Sequence, residues 1–84
     1  MKRPFIKAFN ALKKAGVPVY EHVEDNGNFS ISSEEEESFK WVDYYAEFPL
    51  WRGESMNPVL HNMLSQHNLY AEWVNPGRLS VYQN

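Results

Sequence analysis

Apolar and polar positions along the first fifteen residues alternate with a helical period. Phe5, Ala8, Phe9, Leu12 and Ala15 recur on one side, while Lys7, Asn10, Lys13 and Lys14 fill the other, which predicts an amphipathic helix over 4–15. Pro4 suits the first helical turn, Lys13 and Lys14 complement the carbonyl end of the helix dipole, and Gly16 is placed to take a left-handed cap. The period then shortens. Residues 17–23 read as a strand, Asp25-Asn26-Gly27-Asn28 as a hairpin turn and 29–33 as the returning strand, because Asn-Gly between apolar runs is a strong short-range hairpin signal. Pro18 lacks an amide hydrogen, so this strand belongs at a sheet edge or begins after residue 18.

The same order of elements returns near the C-terminus. Asn57 can cap a helix over 57–67 with Pro58 at its first position, and Val59, Leu60, Met63 and Leu64 make an apolar stripe. Asn68 stands where Gly16 stood. Residues 69–74 then read as a strand, Asn75-Pro76-Gly77 as a type II turn, and 78–82 as the last strand. An αββ unit therefore occurs twice. The predicted fold is α+β: two hairpins, 17–33 and 69–83, form a four-stranded antiparallel sheet, with helices 4–15 and 57–67 on one face.

The connector is ambiguous between helix and strand. As a helix over 34–47, Glu36, Lys40, Asp43 and Glu47 form one polar stripe, Ser33 and Glu36 form a capping box, and Pro49 ends it. Its aromatic and β-branched residues favour a strand, but the strand pattern mixes charged and apolar types on one face. A short extra helix in the connector is the expectation.

Length bounds what such a fold can hold. For 84 residues and 9.9 kDa, area scaling gives a folded surface of roughly 5,000 Å² against roughly 14,000 Å² extended, enough for one core and a single domain over 1–84. A total stability on the order of 4–13 kcal/mol leaves little for a deep, strained catalytic cleft. Cysteine is absent, which removes thiolate metal sites, thiol nucleophiles and disulfides together. Charges scattered through MKRPFIKAFNALKKAG replace the continuous apolar run of a signal peptide, and no stretch reaches the ~18 apolar residues needed to cross a bilayer. A cytoplasmic protein with no membrane partner is expected.

Chemistry-bearing motifs are sparse. His61 and His67 lie six apart and so do not share a helix face as a metal pair would, and His22 has no nucleophile at a recognisable spacing. No nucleophile elbow, phosphate loop, dinucleotide fingerprint or zinc-protease motif occurs. The run Glu34-Glu35-Glu36-Glu37 lacks the alternating ligands and turn glycine of a calcium loop; it reads first as a solvated helix start, and second as an acidic surface imitating a nucleic-acid backbone to a host defence protein. No enzyme activity, catalytic residue, cofactor or metal is expected.

Two features suggest partners. Lys2, Arg3, Lys7, Lys13 and Lys14 are five of the eight basic residues, all within the first fourteen positions, against eleven acids elsewhere and a net charge of −3. That basic pole is a candidate nucleic-acid contact, although an overall isoelectric point near 5.5 opposes tight non-specific binding. Thirteen aromatic side chains (three Trp, five Tyr, five Phe) exceed what one small core readily hides, and the surplus lies between residues 39 and 51. Trp51 and Arg52, types enriched at interface hot spots, with neighbouring Tyr44 and Tyr45, form the candidate protein-interaction surface. Trp41, Trp73, Tyr44 and Tyr45 compete for places in the core, and Trp51 for a place as its lid.

At Trp41-Val42-Asp43-Tyr44-Tyr45, then Asn57-Pro58-Val59-Leu60 and Glu72-Trp73-Val74-Asn75-Pro76-Gly77, the chain resembles small uncharacterised proteins encoded by bacteriophages and prophages, over about residues 26–82. The resemblance implies a bacterial host cell and an accessory role exercised by binding host factors. It carries over no catalytic residue. The expected partner is a host or phage protein, with nucleic acid as the alternative and a monomer or weak homodimer as the assembly.

Overall fold

The computed structural model describes residues 2–21, 28–45 and 55–84. Helix α1 (Arg3–Ala15) is followed by β1 (Val19–Glu21), β2 (Phe29–Ser32), a 3-10 turn (Glu36–Lys40), α2 (Pro58–Ser65), β3 (Leu69–Asn75) and β4 (Arg78–Gln83). The two αββ units join through their second strands, giving the antiparallel order β1-β2-β4-β3. Each unit's first strand is therefore an edge. The fold is the α+β arrangement that the sequence predicts.

Register sorts side chains onto two faces. Val19, Ile31, Leu79 and Trp73 form one row across the sheet, and Tyr20, Ser30, Ser80 and Glu72 form the next, on the opposite face. Helices cover the first face. Phe5 and Phe9 of α1 meet Phe29 edge-on, with ring centroids 6.4 and 5.4 Å apart, while α2 lies against β3 and α1. Phe5, Ala8 and Leu12 of α1, Leu60 and Leu64 of α2, and Phe29, Ile31, Leu79 and Val81 of the central strands are all buried in one core. On the opposite face the Tyr70 and Tyr82 rings lie 5.7 Å apart.

Helix ends follow local chemistry. Gly16 adopts φ 95°, where its amide and that of Val17 return to the carbonyls of Lys13 and Leu12. Val17, expected to open a strand, instead closes the helix cap and is buried. Pro18 delays β1 to Val19, and the Asn26-Gly27 turn lies outside the described residues. The Oδ1 atom of Asn57 accepts from Val59 N at 2.9 Å, and α2 ends at Ser65, two residues early, with Asn68 taking the left-handed conformation at φ 59°. Val59 is 56% exposed and so leaves the predicted apolar stripe, which reduces to Leu60 and Leu64 with Met63 at its margin.

Two predicted local structures are corrected. Gly77 does not adopt positive φ, so 75–77 is not a type II turn. The Asn75 carboxamide supplies the missing acceptor, taking the Gly77 amide at 2.8 Å in an Asx turn. The short helix expected in the connector is present among the described residues as the five-residue 3-10 helix Glu36–Lys40, not as a longer helix from residue 34. It is capped by Glu35 and Ser38 in place of Ser33 and Glu36, and residues 46 and 47 of the predicted span lie outside the described residues. Buried Ser38 donates its hydroxyl to Ser32 O at 2.7 Å, pinning this turn to the end of β2. Beyond Lys40 the backbone finds partners far away in sequence: Asp43 N donates to Ser55 O, and Asn57 N to Trp41 O, each at 2.8 Å, around the bridge between Val42 and Met56. Val42 and Asp43 are both buried, which a helical polar stripe through Asp43 would not allow.

Candidate interaction surface

The bridge between Val42 and Met56 positions the candidate surface. It carries the chain past the β3 edge of the sheet and projects Tyr44 and Tyr45 outward. Trp73 of β3, packed against the core, donates Nε1–H to Ser55 Oγ at 2.8 Å. Its indole is met edge-on by Tyr44, with centroids 5.1 Å apart and planes at 84°. Tyr45 meets Tyr44 in the same way, at 5.1 Å and 86°. The three rings thus run from the core margin into solvent, where Tyr44 is 42% and Tyr45 69% exposed. Each edge-to-face contact is worth about 0.5–1.5 kcal/mol, so the inner rings hold the outer one in a defined pose.

Competition for the core is thereby resolved for four aromatics. Trp41 and Trp73 pack at its margin, whereas Tyr44 and Tyr45 do not enter it. Trp51 and Arg52 lie outside the described residues. A cleft of about 450 Å³ bordered by Ser55, Met56, Pro58 and His61 opens beside the Ser55–Trp73 hydrogen bond. Trp73 shares its sheet face with Leu69 and Ala71, and no local signal in the sequence pairs it with Ser55 or Tyr44. Phe39, at the start of the aromatic surplus between 39 and 51, is 60% exposed.

The remaining candidates are dispersed. Lys2, Arg3, Lys7, Lys13 and Lys14 are all exposed, and they sit over the β1–β2 side of the sheet, away from Tyr44 and Tyr45 at the β3 edge. Lys13 Nζ stands 5.9 Å from the centroid of the Phe9 ring. Glu34 to Glu37 are exposed, and Glu34, Glu35 and Glu37 wall an open cleft of about 710 Å³ whose other sides include Lys13, Tyr20 and Arg78. His61 is exposed on α2 and His67 lies in the turn after it, while His22 is outside the described residues. Among the described residues, no three His, Asp or Glu side chains are grouped to hold a metal ion, and no helix is long and apolar enough to cross a membrane.

Compared with protein-family models, with curated proteins and with solved structures, the chain matches none of them.

Proposed function

We propose that this is a non-enzymatic accessory protein of the phage or prophage type that acts by binding a protein of the host or the phage. The contact residues are Tyr44 and Tyr45, together with Trp51 and Arg52 a few positions further along the chain. The observation that carries this reading is the aromatic ladder Trp73–Tyr44–Tyr45, anchored at the core and exposed at its tip. Rings held by their neighbours lose little entropy on docking, and tyrosine offers an apolar body with a polar end, which is why Tyr, Trp and Arg dominate interface hot spots. The cleft beside Ser55 gives a partner's apolar side chain a place next to these anchors. The phage setting is supported by the sequence resemblance alone.

The test is affinity capture from nuclease-treated bacterial host lysate, with wild type, Tyr45→Ala and Trp51→Ala as baits. A specific protein retained by wild type and lost with both variants, at unchanged melting midpoints, supports the proposal. Identical captured proteins from all three baits contradict it.

A further inference from the structure

The five basic residues near the N-terminus are equivalent in sequence but not in space. At 100° per residue, Arg3, Lys7 and Lys14 fall within about 40° of one line along α1. They face away from buried Phe5, Ala8 and Leu12. The line is about 16 Å long at 1.5 Å per residue, and α1 carries no acidic residue. Lys13 lies off it: its ammonium sits by the Phe9 ring, and the residue borders the cleft walled by Glu34, Glu35 and Glu37.

We propose that Arg3, Lys7 and Lys14 form a contact stripe for the phosphate backbone of a nucleic-acid duplex. The occupant follows from charge complementarity: three cations in a row and no acid among them match a linear polyanion. A membrane surface fits poorly, because an interfacial helix inserts its apolar face, and that face of α1 is committed to the core. Fields of exposed charges are screened over about 8 Å at physiological ionic strength, so acids near the stripe weigh most against it, and α1 itself carries none. This surface lies over the β1–β2 side of the sheet, apart from Tyr44 and Tyr45, and stands whether or not those tyrosines bind a protein.

The experiment is fluorescence anisotropy of a labelled DNA duplex, titrated with the full chain between 25 and 150 mM salt. Three neutralised phosphates predict a slope of log K against log salt of about −2.7, and Lys7→Ala or Lys14→Ala should each bring it to about −1.8 with weaker binding at every salt concentration. Lys13→Ala and Tyr45→Ala should bind within about twofold of wild type, because neither residue is in the stripe. Melting curves check that each variant is folded. Absence of binding at 25 mM salt overturns the proposal, as does an equal loss from Lys13→Ala. Equal affinity for anionic vesicles or for poly-glutamate also overturns it, since either would make the contact one of charge alone.

Discussion

Asn57 joins three pieces of the molecule, and its replacement separates their contributions. Its Oδ1 caps α2 through Val59 N at 2.9 Å, its Nδ2 donates to Lys40 O at 2.9 Å, and its backbone amide bonds to Trp41 O. Asn57→Ala removes the cap, worth about 1 kcal/mol within a range of about 0.5–2. It also removes the Lys40 bond, worth about 0.5–1.5 kcal/mol. The predicted cost is about 2 kcal/mol. Asn57→Asp keeps an acceptor for Val59 and places a negative charge at a helix start, a gain of about 0.3–1 kcal/mol, but cannot donate to Lys40; its net cost should stay below about 1 kcal/mol. With a urea m value of about 1–1.5 kcal/mol/M for a chain of this size, the alanine variant should lower the unfolding midpoint by about 1.5–2 M and the aspartate variant by less than about 1 M. Near-ultraviolet circular dichroism should report the same loosening of the Tyr44–Trp73 contact in both variants, since both lose the bond to Lys40. Equal midpoints for the two variants would refute the cap, and an alanine cost below about 0.5 kcal/mol would refute both bonds.

Other substitutions follow from the same contacts. Gly16→Ala forces a side chain into φ 95° and should cost about 1 kcal/mol, with Gly16→Asn losing less because asparagine tolerates the left-handed region; thermal melts of the pair check the order. Phe29→Ala empties the centre of the core beneath Phe5 and Phe9 and should cost about 3–5 kcal/mol, seen as loss of cooperative unfolding or a large midpoint drop. Tyr45→Ala removes one edge-to-face contact from a residue 69% exposed, so its unfolding free energy should stay within about 1 kcal/mol of wild type.

The sequence and the structure agree where interactions are local. Helix α1 is legible from its period, its proline and its cap glycine, and α2 from Asn57 and Pro58. The edge place of β1 is legible from Pro18, but the joining of β2 to β4 is not, because two antiparallel hairpins sharing one covered face can also join through β3. The connector was illegible because its backbone partners lie at Ser55 and Asn57, more than ten residues away, and no periodicity reports such a bridge. The 75–77 turn misled through residue type: proline and glycine suggested type II, while the Asn75 side chain supplies the acceptor that sets the turn. Composition indicated surplus aromatics between 39 and 51, and the structure places Tyr44 and Tyr45 among the exposed ones. Which lysines align could be read from helical spacing; that Lys13 borders an acidic cleft could not, because Glu34, Glu35 and Glu37 reach it only through the tertiary fold.

The proposed protein-binding surface is tested most directly by quantitative capture from nuclease-treated host lysate with wild type, Tyr45→Ala and Lys7→Ala. The account predicts a protein partner held by wild type and Lys7→Ala and lost at least tenfold with Tyr45→Ala, which would place about 1.4 kcal/mol or more of binding free energy at that ring. Undiminished capture by a folded Tyr45→Ala would contradict it.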